Sequence, residues 1–251
     1  MLQLSASDRI FQKIKVFFIH LFFSAAFILL VFLIIRFVWY PFPLLEATGG
    51  WGIFLMVMVA DIMIGPALTG FVYEKNKRSL KNDILIIVAI QFAAMVCGVK
   101  TLYDGRPVYI AALGHRFDLI QANEFNDDVK LPIFGPVVTG TRRAENREAR
   151  NKMLINSLAG KDYGHFQEYH VSLDQMKSVL LSESKPISLL IKYNSGREHE
   201  IRDWLKNNNI DEDNAVFQGL KARSEDMAVI LDARNAQLIG VARFNPWENN
   251  E

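Results

Sequence analysis

The chain has 251 residues, 51% of them hydrophobic, and its formal net charge is +1. Only nine of the 28 Lys and Arg residues and five of the 27 Asp and Glu residues precede Asp104, which leaves 19 and 22 from Asp104 onward. This segregation of charge excludes a single water-soluble globule. The near-neutral total argues against nucleic-acid binding, which needs a concentrated basic patch. The single cysteine, Cys97, excludes an intramolecular disulfide and a cysteine-rich metal site.

Three apolar runs in the first part of the chain are long enough to cross a bilayer as helices, which takes about 20 residues. They comprise residues 16–40, 51–73 and 84–103. A cleaved signal peptide is the alternative for the first run, but its apolar stretch exceeds the roughly 7–15 residues of a signal. The run ends in Trp39-Tyr40-Pro41, two interfacial aromatic residues followed by a helix stop. The sequence therefore predicts three transmembrane helices.

Basic residues in the short connections predict how these helices are oriented. Segments 1–15 and 74–83 carry three and four Lys or Arg residues, whereas segment 41–50 carries none. The positive-inside rule then places the N-terminus and segment 74–83 in the cytoplasm. The predicted fold class is a three-helix transmembrane anchor, residues 1–103, followed by an α+β periplasmic domain with antiparallel hairpins, residues 104–251. The predicted location is the inner membrane of a Gram-negative bacterium, as a multi-pass protein.

The predicted periplasmic domain mixes strand and helix patterns. Its predicted elements are strands at 107–112, 116–121, 187–193, 227–231 and 237–244, and helices at 141–158 and 197–208. The first two strands form a hairpin around Gly114, and the last two form another around a polar turn at 232–235. The helix at 141–158 is charge-rich and stops before Gly160. We interpret its charges as a solvated helix face.

The chain carries none of the familiar sequence signatures of catalysis. It has no nucleophile elbow, no glycine-rich phosphate loop and no zinc-protease motif. His165, Glu168 and His170 come nearest, but two metal ligands on one helical face need a spacing of four residues. We interpret this segment as an ordinary exposed loop. The sequence predicts no catalytic residue, no metal site and no cofactor, so a non-enzymatic protein is expected.

The second and third apolar runs each contain a polar residue. Asp61 is about 15 Å deep in the second run, and Gln91 is about 10 Å from the start of the third. Since the two helices run in opposite directions, the two side chains are expected to lie at similar depth. One face of the third helix carries a stripe of small and polar residues, Gln91, Ala94 and Gly98. The face of the second helix expected to meet this stripe carries Asp61, Gly65 and Leu68.

Two interpretations of Asp61 remain open at this point. The carboxyl either holds the three helices together or offers a polar contact to a transmembrane helix of a partner protein. Pro66 lies four residues after Ile62 and frees its carbonyl, so a kink is expected beside Gly65. His20 is about one turn inside the predicted cytoplasmic face, and we interpret it as an interfacial residue.

Along and after the three-helix frame the chain carries a series of short motifs. They are Trp39-Tyr40-Pro41 with Gly49-Gly50, Asp61-Ile-Met-Ile-Gly65-Pro66-Ala-Leu-Thr69, Ser79-Leu80-Lys81-Asn82-Asp83 with Gln91 and Gly98, Arg106-Pro107-Val108-Tyr109, Arg116-Phe117 and Pro246-Trp247. In their order the chain resembles the type IV pilin accessory proteins, inner-membrane proteins encoded beside certain pilins. The resemblance is strong over the first 120 residues, looser afterwards and weakest at 123–193.

The resemblance implies a chaperone-like protein that assists or modulates a cognate type IV pilin during pilus assembly. The expected partners of the protein are the lipid bilayer and the major pilin, which it would contact at both the transmembrane helix and the periplasmic head. The resemblance implies nothing about the oligomeric state of the protein. Pilins of this family carry an acidic residue near the start of that helix. The expected partner-binding residues in the membrane are Asp61, Gly65, Pro66, Thr69, Gln91 and Gly98, and those of the periplasmic motif are Arg106, Pro107 and Tyr109.

Two other classes of protein are weighed against this one. A membrane-anchored periplasmic sensor needs a cytoplasmic output domain, whereas the predicted cytoplasmic parts are only residues 1–15 and 74–83. A pilin-modifying membrane enzyme, such as a glycosyltransferase, needs acidic catalytic residues on its periplasmic loops. The connection at 41–50 offers only Glu46.

Overall fold

The computed structural model describes residues 6–75, 77–125 and 129–248. The chain forms two compact units. The first comprises the residues up to Phe37 together with Gly50–Asp104, and the second comprises Val38–Gly49 together with the residues from Gly105 onward. The connection between the first two long helices, Val38–Gly49, is thus part of the second unit.

The first unit consists of long apolar helices with short connections. In chain order the α-helices of the described residues, in both units, are α1 (Ala6–Ile34), α2 (Leu44–Ala47), α3 (Gly50–Val59), α4 (Gly65–Val72), α5 (Leu80–Asp104), α6 (Arg147–Leu158), α7 (Lys177–Glu183), α8 (Ile187–Tyr193) and α9 (Glu198–Asn207). Three stretches of the described chain are long and apolar enough to cross a membrane: span 1 (Ser7–Trp39), span 2 (Gly50–Val72) and span 3 (Leu80–Asp104). The three predicted spans are confirmed.

Spans 1 and 2 each contain a π-helical turn, at Ile35–Trp39 and at Ala60–Ile64. The second turn joins α3 to α4, and there the amide of Gly65 donates to the carbonyl of Ala60, five residues back. Pro66 comes directly after, in the first turn of α4, where a missing N–H is tolerated. The irregularity expected at this proline is therefore a widened turn just before it. Turns of this kind are frequent at functional sites.

The second unit is built on a mixed β-sheet. Its strands are β1 (Pro107–Ala112), β2 (Phe117–Gln121), β3 (Val137–Thr141), β4 (His170–Val171), β5 (Lys185–Pro186), β6 (Ala215–Lys221), β7 (Met227–Asp232) and β8 (Leu238–Ala242). In the described residues their order across the sheet is β4-β3-β1-β2-β6-β7-β8, with β5 also paired to β6. The pairs β1–β3 and β2–β6 are parallel, and the others are antiparallel.

Both faces of this sheet are covered. The alternate residues Met227, Val229 and Leu231 of β7 belong to one apolar cluster, whereas Ala228 and Ile230 belong to another. Neighbouring residues of a strand point to opposite faces, so the two clusters lie on the two sides of the sheet. The second cluster contains the buried residues of α8 and α9. A strand that is buried on both faces is apolar throughout, as β7 is.

Helix α2 is packed into the first of these clusters. Leu44 is 2% exposed and Ala47 is fully buried, and both belong to the cluster that contains Phe117 and Leu220. The carbonyl of Ala47 accepts a hydrogen bond from the amide of Ser224 at 2.9 Å. The short connection between spans 1 and 2 is therefore an integral part of the α+β core.

Several predicted elements of this unit are confirmed. The hairpin of β1 and β2 and the hairpin of β7 and β8 are both antiparallel. The helix predicted at 197–208 is α9, and its Ile201 and Leu205 are buried. Gly160 comes after α6 with a φ of +81°, a left-handed conformation that suits a helix stop. The expectation of antiparallel hairpins is confirmed only in part, because the sheet as a whole is mixed and the pairs β1–β3 and β2–β6 are parallel.

Three predictions about this unit are wrong or incomplete. Residues 187–193 form helix α8 and not a strand, because a short apolar run has no periodicity that separates the two. The helix predicted at 141–158 begins only at Arg147, where the side chain of Asn146 accepts a hydrogen bond from the amide of Ala149 at 2.7 Å. Thr141, the predicted start of this helix, is instead the last residue of β3. Strand β6, which pairs with β2, β5 and β7, has no counterpart among the predicted elements.

Candidate functional site

The predicted pair of polar residues meets inside the first unit. The amide Nε2 of Gln91 donates to Oδ1 of Asp61 and to the backbone carbonyl of Asp61, both at 3.3 Å. Asp61 is 4% exposed and lies in the π-helical turn of span 2. Span 2 packs against both span 1 and span 3, so this pair lies where all three helices come together.

Gly65 allows the two side chains to meet. A Cβ atom on Gly65 would lie 2.0 Å from Nε2 of Gln91, a distance that no real contact allows. The buried face of span 2 runs through Asp61, Gly65 and Thr69, while the predicted Leu68 is 46% exposed. The π-helical turn accounts for this difference, since it adds one residue to the turn before Gly65 and so rotates α4 about the axis of the span.

Span 1 contributes a polar side chain to the same place. Nδ1 of His20 and Oγ1 of Thr69 are hydrogen-bonded at 2.7 Å, and Thr69 is 2% exposed. His20 also lines a cavity together with Asp61 and Gln91. The ring of His20, interpreted from the sequence as interfacial, thus faces the interior of the helix bundle.

The cavity has a volume of about 270 Å³ and forms a groove between spans 1 and 3, with Asp61 of span 2 at its floor. We name it the lateral groove. Its lining residues are His20, Phe23, Ser24, Phe27, Asp61, Val88, Gln91, Phe92 and Met95. Phe23 and Phe92 on its two walls are 67% and 62% exposed, so the groove opens on the lipid-facing side of the bundle.

The floor of the lateral groove contains an unsatisfied hydrogen-bond acceptor. Among the described residues, Oδ2 of Asp61 is buried and accepts no hydrogen bond. A polar atom that is removed from water without a partner is costly, especially in hydrocarbon. The groove can therefore accept a hydrogen bond from a donor group on another molecule.

The other predicted membrane residues are buried in spans 2 and 3 but do not line the groove. Pro66 is buried in α4, next to the π-helical turn. Gly98 is buried in span 3, where a Cβ would lie 2.1 Å from Cγ2 of Val57 in span 2. Small residues of this kind let membrane helices approach closely. Gly98 therefore sets the distance between spans 2 and 3, while Ala94 of the predicted stripe is exposed.

The predicted motif of the second unit is buried. Arg106 is 6% exposed and donates through Nη2 to the carbonyl of Pro132 at 3.2 Å, and Pro107 opens β1. The hydroxyl of Tyr109 accepts a hydrogen bond from Nε2 of Gln167 at 2.8 Å. Burial raises the pKa of Tyr109, and this hydrogen bond opposes the shift in part. These three residues are therefore part of the interior of the α+β unit.

The segment around His165 is folded into the second unit, so the interpretation of an exposed loop is wrong. The His165 side chain is 7% exposed, and its Nε2 lies 2.8 Å from Oε2 of Glu124. Burial raises the pKa of Glu124, but the hydrogen bonds from His165 and the Gln121 amide outweigh it, so this pKa is lower than usual. In the described parts of the chain no cluster of residues is suited to hold a metal ion.

The sequence of the chain is similar to those of several known proteins. Over 229 residues, 86% of this chain and 88% of the relative, the sequence is 25% identical to the fimbrial assembly protein of serogroup I of Dichelobacter nodosus. The serogroup E1 protein of that organism matches equally well, and the protein of serogroups C1 and C2 is 35% identical over 80 residues, 31% of this chain and 60% of that protein. The chain is a relative of fimbrial assembly proteins.

This relationship confirms the resemblance found in the sequence, since the relatives are named fimbrial assembly proteins. The longest alignments exceed either structural unit alone, so they include both helices and sheet. They support a role in pilus biogenesis. No family model matches the chain, and no solved structure matches it significantly.

The sequence of this chain, a relative of fimbrial assembly proteins, does not predict every residue that lines the lateral groove. His20 and Ser24 are four residues apart in span 1 and line the groove on one helical face. That spacing is the signal that could have found them. Phe23, Phe27 and Phe92 carry no such signal, because phenylalanine occurs on every face of these spans.

Proposed function

We propose that this protein is a non-enzymatic, chaperone-like accessory of type IV pilus biogenesis that assists a cognate major pilin in the inner membrane. It holds side chains of the single transmembrane helix of the pilin in the lateral groove until the subunit is incorporated. The observation that carries this proposal is the groove itself, open to lipid on its aromatic walls and floored by the buried carboxyl of Asp61.

The size of the lateral groove supports contact with side chains of a helix. A helix with its side chains is about 10–12 Å across, so a cavity of about 270 Å³ cannot enclose it. It can receive one or two side chains that project from a helix lying along spans 1 and 3. The exposed rings of Phe23 and Phe92 then flank the bound helix.

The polar floor supports selectivity for one partner. A hydroxyl, an amide, an amine or a protonated carboxyl on the pilin helix can donate to Oδ2 of Asp61. Interhelical hydrogen bonds in membranes contribute about 0.6–2 kcal/mol each. Lipid chains offer no donor, so binding of the correct helix replaces an unsatisfied polar atom with a hydrogen bond.

Contacts at one end of the first unit support the predicted orientation, with the N-terminus in the cytoplasm. Nζ of Lys13 donates to the carbonyl of Phe71, near the end of span 2, at 3.0 Å. Lys77 in the next connection pairs with Asp83 at 2.8 Å. The basic residues of segments 1–15 and 74–83 thus lie at the same end of the bundle, as the positive-inside rule requires of cytoplasmic loops.

In the periplasm, the α+β unit contacts the head of the pilin. Helix α6 supports this part of the proposal because three of its apolar side chains face solvent. Leu154, Ile155 and Leu158 are 65%, 69% and 90% exposed, and Met153 is buried beside them. Contiguous exposed apolar residues mark interaction surfaces more often than isolated ones do.

Deletion of the gene tests the role. We expect lower pilin levels and a loss of surface pili, with restoration by a wild-type copy. Unmodified pili of normal abundance would support the pilin-modifying enzyme instead. Altered pilin transcript levels would support the sensor.

Gly65→Ala tests the geometry of the groove floor. The new Cβ occupies the position of the Gln91 amide, so Gln91 is pushed away from Asp61. We expect pilus assembly to fall severalfold while the protein remains in the membrane at its normal level. Gly52→Ala in the same span is the matched control, because a Cβ there meets nothing within 4 Å. Equal effects of the two variants would contradict this assignment.

A further inference from the structure

The second unit exposes an apolar tip just before β3. Residues 131–136, Leu-Pro-Ile-Phe-Gly-Pro, contain no charged or hydrogen-bonding side chain. Ile133 is 56% exposed and Phe134 is 76% exposed. Two adjacent large apolar side chains in solvent are unusual in a folded domain, since their exposure is unfavourable. We name residues 132–135 the apolar tip.

The apolar tip is held at both of its ends. Nη2 of Arg106 donates to the carbonyl of Pro132 at 3.2 Å. The amide of Gly135 donates to the carbonyl of Val38 at 2.8 Å. Gly135 has a φ of +43°, a left-handed conformation that glycine adopts without strain. Two independent hydrogen bonds therefore fix the position of the exposed side chains between them.

One of these anchors places the tip at the boundary of the membrane. Val38 lies inside span 1, which runs to Trp39, and the interfacial pair Trp39-Tyr40 comes next. Phe134 precedes Gly135, and consecutive Cα atoms are about 3.8 Å apart. Its backbone is therefore within roughly 10 Å of a residue that ends a membrane span. Phe42 in the same connection is 68% exposed.

We propose that Ile133 and Phe134 insert into the interfacial region of the same bilayer that the spans cross, so the α+β unit contacts lipid directly through the apolar tip. The chemistry favours lipid as the occupant. The tip offers no charge or side-chain hydrogen bond with which to recognise a protein partner, and it is tied to the end of span 1. Aromatic and aliphatic side chains at this level are stabilised by the boundary between headgroups and acyl chains.

Fluorescence quenching in liposomes tests this proposal with the full-length chain. A Phe134→Cys variant in a Cys97→Ser background, labelled with a nitrobenzoxadiazole probe, is reconstituted in phosphatidylethanolamine and phosphatidylglycerol. We expect acyl-chain spin-labelled lipids to quench the probe at least twofold, while aqueous iodide has little effect. Asn207→Cys, an exposed position of α9, is the control and should show the reverse. Phe134 is exposed, so the substitution leaves the fold intact.

Two results would overturn the proposal. One is quenching of the probe at position 134 by iodide and not by spin-labelled lipid. The other is a probe that lipid does not quench but that purified pilin shields when it is reconstituted together with the protein. The second result would make the apolar tip a protein-docking surface.

Discussion

Asp61→Ala is expected to weaken pilin binding about five- to thirtyfold, which corresponds to the loss of a membrane hydrogen bond of roughly 1–2 kcal/mol. The substitution removes the acceptor at the floor of the lateral groove. It also removes Oδ2, which has no partner among the described residues, and the hydrogen bond from Gln91 to Oδ1. The Gln91 amide keeps its second acceptor, the backbone carbonyl at position 61, so the helices themselves should lose little stability. The measurement is the fraction of pilin that co-purifies in mild detergent, normalised to the amount of accessory protein.

Asp61→Asn is the matched variant, since it keeps the shape of the side chain and an oxygen acceptor. It should retain most of the binding. If Asp61→Ala instead makes the protein disappear from the membrane, the carboxyl holds the three helices together. That result would contradict the assignment of Asp61 to partner binding.

Phe217→Ala is expected to cost about 3–5 kcal/mol of the stability of the α+β unit. Phe217 is completely buried at the centre of β6, and its ring lies 6.3 Å from that of Tyr193 in an edge-on arrangement. A loss of this size is a large part of the roughly 5–15 kcal/mol that stabilises a typical domain. We expect the unit to be digested by protease at a markedly lower temperature than in the wild type.

Leu158→Ala is the control for this experiment. Leu158 is 90% exposed in α6, so its truncation should change the stability by less than about 0.5 kcal/mol. Equal resistance of the Phe217→Ala protein and the wild type to protease would show that β6 is not part of the core.

The spans and the Asp61–Gln91 pair could be predicted from sequence because local properties determine them. Length and hydropathy identify a membrane helix without knowledge of its neighbours. The rise per residue then sets the depth of a polar side chain, and two polar residues at equal depth on adjacent helices have few other partners. The distance of 3.3 Å between Gln91 Nε2 and Asp61 Oδ1 agrees with these constraints.

Strand β6 could not be predicted because tertiary contacts explain its two unusual residues. Gln218 is buried, and its amide donates to the carbonyl of Leu180 at 3.2 Å. Gly219 lies under the ring of Trp247, where a Cβ would come within 2.3 Å of the ring. A buried glutamine and a glycine disrupt the apolar pattern of a strand, so the sequence resembles a loop until its neighbours are known.

The lateral groove was only partly predictable for a related reason. The rotation of each span about its axis decides which side chains face a neighbour, and packing sets that rotation. The π-helical turn at Ala60–Ile64 changes it within span 2 and replaces Leu68 with Thr69 on the buried face. Thr69 then pairs with His20, which the sequence alone places at the interface.

Site-specific photocrosslinking at adjacent phenylalanines of span 1 is the sharpest test of pilin binding in the lateral groove. Phe23 lines the groove and is 67% exposed, whereas Phe22 is outside it and is 69% exposed. Each is replaced in turn by benzoylphenylalanine in cells that express the pilin. We predict that the probe at position 23 captures pilin and that the probe at position 22 captures little or none. Equal capture at both positions, or capture at neither, would contradict binding of pilin in the groove.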